Sequence, residues 1–424
     1  MSNQELQVSQ KLYGIECELG SLEITIYEPL DSNGFIMLNK ANEFFPCLQP
    51  RERFRSMRYK ELEYDFISTD SCRRTAQRLN RIRLENSKAK ATTVRNQAER
   101  EGEKINHAKA LKSMDVFSTC GFDYDGYKNA DTEIDFSIAK TKIADAALVE
   151  KESAEIGVSA DNNDYENGTE SINISIDEVG CKKQTEQRPH VEKKNEPKQV
   201  RNTVIHIQKG KQNYILNAES ISESLSLLMG FLLSNDLLGK YPITFFADGA
   251  STIKDAIADF FWFAPYKLIL DWPHLPKKLS ELLSMSINST IKRNEILDQM
   301  KLFLWKGDVD SAINVIDNIE TKWIKSAKWL GKIVPYLKKR KDSIPCYALR
   351  ASLGLRNSSN LGEKSNDRVV SSRQKHNGMA WSDEGSAGLA TICATQINNE
   401  MPEWLLTNTI RFGFAEDGVI GNAA

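Results

Sequence analysis

Hydrophobic and β-branched residues recur at strand and helix spacing in the second half of the chain. Residues 203–208 (TVIHIQ) and 212–216 (QNYIL) are β-branched and aromatic, and Lys-Gly-Lys separates them, which predicts a hairpin. Residues 222–233 are apolar at helical spacing and precede Asn235-Asp236, which predicts a helix that stops there.

Two continuous apolar runs follow, residues 242–247 (PITFFA) and 266–270 (YKLIL), and an aspartate comes directly after each. Unbroken apolar sequence is typical of parallel strands covered on both faces. The amphipathic segment 251–261 lies between them and predicts a crossover helix. The order of hairpin, helix, strand, helix and strand predicts an α/β fold with a mixed sheet.

A helical insertion is predicted next, at about residues 276–345. This region is rich in lysine, ends in the basic run KKRK at 338–341, and interleaves its lysines with Trp305, Trp323 and Trp329. We expect the tryptophans to give the insertion a small core of its own.

The first half of the chain differs in composition. Residues 1–144 contain no tryptophan and carry short strand-like runs at 22–27 and 35–38, followed by long polar, helix-favouring sequence. Residues 145–179 contain ten acidic residues and one lysine, and the sequence up to 200 is biased to basic residues. This composition predicts a disordered linker at 145–200 between an N-terminal region, 1–144, and the main domain, 201–424.

Composition argues against membrane-spanning, secreted and disulfide-rich classes of protein. The chain has 424 residues, 56 Lys+Arg against 58 Asp+Glu, and a formal net charge of -2. Its apolar runs are shorter than the roughly 20 residues that a membrane span needs, and its first residues lack a secretory pattern. Seven scattered cysteines without a C-x-x-C pair indicate reduced thiols. These features predict a cytoplasmic protein that has no membrane partner.

Asp248 and Asp271 are the first candidates for chemistry, because each follows a predicted buried strand. Ligands and catalytic groups gather at the carboxyl ends of strands in open α/β sheets. Two neighbouring carboxylates repel one another unless a divalent cation lies between them, which indicates Mg²⁺. The alternative is that Asp248-Gly249 is a turn and that Asp271 caps the next helix, and spacing alone favours this simpler interpretation.

A polar segment from Glu363 to Lys375 predicts a helix that ends at Asn377-Gly378. It carries an acid, Glu363, and two basic residues, Arg373 and Lys375. Such a helix fits either a solvated face or a catalytic acid beside phosphate-binding bases, and the solvated face is favoured on the residues alone.

Three segments together resemble the catalytic half of bacterial insertion-sequence transposases of the acidic-triad (DDE) type. They are FFADGASTIKDAI, LILDWPHLPKK and GEKSNDRVVSSRQKHNGMAWSDEGS. More narrowly, the chain is similar to a family long catalogued as uncharacterised and distantly related to Mutator-like transposases. The resemblance covers roughly residues 200–395 and implies a ribonuclease-H-like fold with a helical insertion before the last acid.

The resemblance also implies site residues. Asp248, Asp271 and Glu363 would form an acidic triad that holds Mg²⁺ or Mn²⁺ for phosphoryl transfer on DNA. His274 matches the histidine of a D-x-x-H motif and would position a water or a phosphate, although a histidine at a helix start fits equally. Arg373 and Lys375 would neutralise phosphates. Mutator-like relatives carry a further aspartate on the first strand, whereas residues 204–208 (VIHIQ) contain no acid.

DNA recognition is expected in the N-terminal region. Residues 59–95 predict helix, turn and helix, and residues 71–95 carry eight basic residues and one acid. Arg73, Arg74, Arg78 and Arg81 lie on the second helix and would enter the major groove, although a solvated basic helix fits the same pattern.

The functional hypothesis is therefore a DNA transposase that cuts and joins the ends of an insertion sequence and acts as a homo-oligomer on DNA. Two alternatives stay open. One is a DNA-binding remnant whose site is inactive for lack of the first-strand acid, and the other is a nuclease that cleaves without joining strands.

Overall fold

The structure is a computed structural model that describes residues 8–33, 54–83, 88–119, 171–184, 197–238, 240–261, 264–375 and 379–415. The strands are β1 Val8–Cys17, β2 Gly20–Pro29, β3 Phe54–Arg55, β4 Ile172–Lys182, β5 Gln199–Lys209, β6 Gln212–Ala218, β7 Ile243–Ala247 and β8 Tyr266–Leu270.

The helices fall into three groups along the chain. The N-terminal helices are α1 Met57–Thr69, α2 Cys72–Ile82 and α3 Ala91–Thr119. Between the strands of the main sheet lie α4 Ile221–Ser234 and α5 Ser251–Phe260, and the insertion after β8 contains α6 His274–Ser286, α7 Thr290–Trp305, α8 Val309–Asp317, α9 Ala327–Leu330 and α10 Ile333–Arg340. The C-terminal helices are α11 Tyr347–Ser352, α12 Asn360–Asn366, α13 Ser372–Gln374, α14 Asp383–Ile397 and α15 Met401–Thr407.

The main sheet has five strands in the order β6-β5-β4-β7-β8. The strands β4, β5 and β6 pair antiparallel, whereas β7 lies parallel to β4 and β8 lies parallel to β7. The prediction of an α/β chain with a mixed sheet is confirmed, and the predicted hairpin is β5 with β6. Every residue of β7 is buried, as its unbroken apolar sequence indicates.

The central strand β4 lies where the sequence predicts a disordered linker. The linker prediction is wrong for Ile172–Lys182, because this segment pairs with both β5 and β7. Its apolar side chains Ile172, Ile174 and Ile176 are buried in the core. The burial of this strand outweighs the acidic composition of the sequence that precedes it, and residues 145–170 of the predicted linker lie outside the described residues.

The helices α1 and α2 form the predicted helix, turn and helix. Ser56 and Ser71 cap them, since each serine side chain accepts a hydrogen bond from a backbone N–H three residues later. These helices and α3 belong to the same hydrophobic core as the main sheet, with Phe117 and Ile205 among its fully buried members. The predicted boundary between an N-terminal region and a main domain is therefore wrong for residues 57–119.

The insertion after β8 is helical, as predicted, and has its own core built from α6 to α10. Three residues of the main sheet, Phe246, Ile269 and Leu270, belong to this second core and join the insertion to the sheet. Trp305 and Trp329 pack against it. Trp272 also packs there, with its ring centroid 4.8 Å from that of Trp305 and 4.9 Å from that of Tyr347.

A nearly continuous helix runs from Asn360 to Gln374, where the sequence predicts a helix from Glu363. Its middle turn, Asp367–Ser371, is π-helical. Such turns are rare in proteins overall but occur often at functional sites, so the residues just before this turn are candidates for a site. Among the described residues, no helix combines the length and apolar character needed to cross a membrane.

Candidate functional site

The parallel strands β7 and β8 end at the same edge of the sheet, beside the middle of the neighbouring strand β4, which continues to Lys182. The pairs Ser175↔Phe246 and Ala247↔Leu270 set their register. Continued along the strands, this register brings Asp177, Asp248 and Asp271 to the same level. Three aspartates therefore lie side by side where ligands bind in open α/β sheets.

Asp177 on β4 is half-buried and close enough to Asp248 for the two charges to interact. Burial and the neighbouring Asp248 carboxylate raise the pKa of Asp177 to about 6. Asn366 donates a hydrogen bond from Nδ2 to Asp177 Oδ2 at 2.5 Å, and this contact holds the carboxylate. The Asn366 Oδ1 atom is buried and has no hydrogen-bond partner in the described part of the chain.

Asp271 is fully buried, and both of its carboxylate oxygens already accept hydrogen bonds. Oδ1 accepts from the backbone N–H of Ser359 at 2.7 Å, at the start of α12. Oδ2 lies 2.5 Å from His274 Nδ1, which donates to it in the tautomer that this pairing favours. The Asp271 carboxylate thus fixes the orientation of the imidazole ring.

His274 begins α6, three residues after Asp271, and its other ring nitrogen faces the acid on α12. The Nε2 atom lies 3.8 Å from Glu363 Oε1. The hydrogen bond to Asp271 raises the pKa of His274 above its ordinary value, and the Glu363 and Asp248 charges act in the same direction. One ligand atom each of Asp271, His274 and Glu363 lie within 4.8 Å of one another.

Glu363 and Asn366 lie one turn apart on α12 and reach the site together. Gly362 brings this helix against β4, because a Cβ atom at this position would lie 2.6 Å from Ser175 Cβ. The Glu363 side chain is 51% exposed, so it is available to a ligand. Asp248 is also exposed, and its Oδ1 accepts a hydrogen bond from the Ala250 N–H at 2.8 Å. The site therefore opens to solvent between Asp248 and Glu363.

The structure brings the predicted catalytic residues Asp248, Asp271, His274 and Glu363 to one edge of the sheet, but it groups them differently from the predicted triad. Asp271 contacts His274, and His274 faces Glu363, while Asp248 neighbours Asp177 instead. The interpretation that the first strand lacks an acid is wrong, because β4 precedes the hairpin strands and carries Asp177. The alternating isoleucines at 172, 174 and 176 were the signal for this strand, and the acidic sequence before it obscured them.

The four arginines predicted to bind DNA from α2 are all exposed. Asp70 holds two of them, with ion pairs of 3.3 Å to Arg74 and 2.7 Å to Arg78. Arg78 also lies 3.9 Å above the centre of the Phe66 ring. Arg73 and Arg81 have no ion pair within the described ranges. DNA binding by this helix stays a prediction.

Arg373 does not lie on a surface. Its side chain is buried, and Nε donates a 2.7 Å hydrogen bond to the Ile67 carbonyl of α1. The prediction that Arg373 neutralises DNA phosphates is wrong, because this guanidinium ties the C-terminal helices to α1. Lys375 is exposed, and its predicted phosphate contact stays a prediction.

No protein-family model matches the sequence, and no curated protein matches it either.

Proposed function

We propose that this chain is a metal-dependent enzyme of DNA strand cleavage and strand transfer, a transposase of the DDE type with a ribonuclease-H-like domain. The observation that carries the proposal is the row of Asp177, Asp248 and Asp271 across three parallel strands, with Glu363 facing it from α12. The order of elements agrees, since a hairpin, two parallel strands, a helical insertion and an acid-bearing helix follow the first strand.

The acids fit a divalent metal. Mg²⁺ and Mn²⁺ prefer carboxylate and carbonyl oxygens, and the site offers three carboxylates from three separate elements. Burial contributes most to the raised pKa of Asp177, and repulsion from the Asp248 carboxylate adds to it; a bound cation would relieve this repulsion. The unpaired Asn366 Oδ1 beside Asp177 adds a further neutral oxygen.

We assign the metal ligands as Asp177, Asp248 and Glu363 and give Asp271 a different role. Both Asp271 oxygens already accept hydrogen bonds, and the side chain has no exposed surface. Asp271 therefore orients His274. A bound metal pair would activate a water or a 3′-hydroxyl and stabilise the leaving oxygen.

His274 would exchange a proton or hold a water at Nε2. Its Nδ1 atom is occupied by Asp271, so only Nε2 is directed toward Glu363 and the open side of the site. The carboxylate keeps the ring in one orientation and stabilises its protonated form. This arrangement suits proton transfer at the reacting phosphate.

The exposed basic residues of α2 and of the insertion would hold the DNA backbone. The predicted homo-oligomer on DNA belongs to the same proposal. A nuclease that cleaves without joining shares every feature of the site, so only the products of the reaction separate the two.

The test is strand cleavage of DNA that carries the sequences flanking the coding region, with Mg²⁺ or Mn²⁺. We expect Asp177→Asn, Asp248→Asn and Glu363→Gln each to reduce cleavage by at least about 100-fold, because each removes one ligand charge. Asp255→Asn, an exposed acid on the neighbouring α5, is the matched control and should cleave like the wild type.

The outcomes separate the alternatives. Equal background cleavage by wild type and Asp248→Asn would defeat the proposal in favour of an inactive remnant. Cleaved but unjoined products would favour the nuclease. If Asp177→Asn keeps the wild-type rate while Asp248→Asn loses it, the metal ligands are Asp248, Asp271 and Glu363, as the sequence alone predicts.

A further inference from the structure

The loop that carries Asp248 is held by a residue of the helical insertion. Arg340, at the end of α10, donates hydrogen bonds from Nε and from Nη2 to the carbonyl oxygen of Gly249, and the first of these is 3.1 Å long. Gly249 follows Asp248 directly and has a φ of +88°, a conformation that glycine adopts without strain. Two hydrogen bonds from one planar group fix the direction of this peptide.

Arg340 is itself fixed. Its guanidinium lies 4.1 Å from the centre of the Tyr336 ring, one turn earlier on α10. The same helix buries Ile333 and Leu337 in the core of the insertion. The space around the loop is also filled, since a Cβ atom on Gly249 would lie 2.8 Å from Arg340 Nε and 2.7 Å from Leu270 Cδ1.

The other basic residues at this end of the insertion differ in their contacts. Lys341 pairs with Asp310 of α8 at 2.7 Å. Lys338 and Lys339 are exposed and pair with no acid in the portion of the chain that the structure describes. The basic run at 338–341 thus contains three kinds of residue. Arg340 faces the loop that carries Asp248, Lys341 pairs within the insertion, and Lys338 and Lys339 face solvent.

We propose that Arg340 is a positioning residue for Asp248, and that Lys338 and Lys339 bind backbone phosphates of the DNA beside it. This inference rests on the proposed function. The same helix end of the insertion then contacts the DNA and fixes the Asp248 loop. The metal site at Asp248 and the phosphate site at Lys338 and Lys339 are thereby held at a fixed distance from each other.

The contribution of Arg340 is tested by Mn²⁺ binding, followed by electron paramagnetic resonance, in the full chain without DNA. We expect Arg340→Gln to weaken Mn²⁺ affinity by about 10- to 100-fold, the range for residues that orient metal ligands. Arg340→Lys keeps the positive charge but loses the planar guanidinium that donates two hydrogen bonds to Gly249, so it should recover only part of the wild-type Mn²⁺ affinity. DNA affinity should change less than about twofold in both variants.

The reciprocal variant is Lys338→Gln with Lys339→Gln. It should keep the Mn²⁺ affinity of the wild type and lower DNA affinity, and the slope of log K against log salt should decrease by about 2, since each lost phosphate contact removes about 0.9. Lys112→Gln, an exposed lysine of α3 that lies outside α2 and the insertion, is the matched control for both measurements.

Wild-type Mn²⁺ affinity in both Arg340 variants would overturn the positioning role, even if their melting temperatures fall. If Arg340→Gln does not fold, the same Mn²⁺ measurement on Arg340→Lys and Gly249→Ala tests the positioning role, and wild-type affinity in both variants would overturn it. A Lys338/Lys339 variant with unchanged DNA affinity would overturn the phosphate role. The proposed function fails separately, when wild type and Asp248→Asn bind Mn²⁺ and cleave DNA equally.

Discussion

Asp271 and His274 form a pair in which a buried carboxylate orients a ring, and in the proposed function this role is distinct from metal binding. We predict that Asp271→Asn lowers DNA cleavage by about 100- to 10,000-fold, because an amide favours the wrong imidazole tautomer, as in hydrolases that use an aspartate in this way. Mn²⁺ affinity should change little. His274→Gln should reduce cleavage similarly, and the double variant should be no slower than the slower single variant.

Cleavage rates and Mn²⁺ titrations of the three variants decide between the roles. A loss of Mn²⁺ affinity in Asp271→Asn equal to that in Asp248→Asn would make Asp271 a metal ligand. Additive losses in the double variant would mean that the two residues act independently.

Lys109 shows the cost of a charge in the core of the molecule. It is fully buried on α3, and its Nζ atom has no hydrogen-bond partner in the described ranges. Burial lowers the pKa of Lys109 to about 8 from 10.5, despite the opposing attraction of Glu400. The folded state therefore binds fewer protons than the unfolded state between pH 8 and pH 10.5, and the contribution of this group to stability rises with pH across that window.

We predict that Lys109→Met raises the free energy of unfolding at pH 7 by roughly 1 to 4 kcal/mol, since the fall of the Lys109 pKa to about 8 on burial reflects a cost of that order for keeping the charge in the core. The difference from the wild type should shrink between pH 8 and pH 10.5. Urea denaturation at several pH values measures both effects, with the exposed Lys112→Met as the control. A difference that grows with pH would contradict the assignment.

At the scale of elements, the contact between α12 and β4 sets the position of Glu363 and Asn366. Gly362→Ala would press a methyl group into Ser175. We expect it to lower the free energy of unfolding by about 1 to 3 kcal/mol, the usual cost of overpacking, and to reduce Mn²⁺ affinity because α12 moves away from Asp177.

A second variant, Gly362→Ala combined with Ser175→Gly, tests whether removing the clash restores the site, and Ser175→Gly alone is its reference. Removing the serine side chain frees the space that the new methyl group needs, so Mn²⁺ affinity should return toward that of Ser175→Gly. If the combined variant binds Mn²⁺ no better than Gly362→Ala, the close approach of the two backbones does not position the acid.

At the scale of the whole molecule, the N-terminal helices are part of the folded core. Helix α3 crosses α14 at two glycines, and a Cβ atom on Gly102 would lie 2.3 Å from the Gly388 carbonyl oxygen. A buried polar contact adds to this packing, since Glu101 accepts hydrogen bonds from Tyr64 of α1 at 3.1 Å and from Trp404 of α15 at 2.8 Å.

We predict that Gly102→Ala destabilises the main sheet as well as α3, by about 1 to 3 kcal/mol, because a backbone must move to accept the methyl group. Tryptophan fluorescence reports the C-terminal part, since the first tryptophan is Trp262, and circular dichroism reports all helices. Both should show one transition at a lower urea concentration, while the exposed Glu103→Ala leaves it in place. Two separate transitions, with only one shifted, would mean that residues 57–119 fold independently.

The sequence by itself determined the elements that have strong local signals. The hairpin of β5 and β6, the buried strands β7 and β8, the crossover helix α5 and the helical insertion follow from apolar runs and helical spacing, and these patterns persist in any fold that buries them. The sequence identifies Asp248 and Asp271 as candidate site residues because each directly follows an apolar run that predicts a buried strand. The π-helical turn after Asn366 carries no such signal.

Only the tertiary structure decided which residues meet. Strand β4 takes the centre of the sheet because pairing on both edges and burial of its isoleucines outweigh an acidic local composition, and this places Asp177 beside Asp248. The same long-range packing buries Arg373 against α1 and directs Arg340 to the Gly249 carbonyl. Composition and spacing describe single segments of a chain, whereas a site depends on distances between segments that are fixed only when their apolar faces share one core.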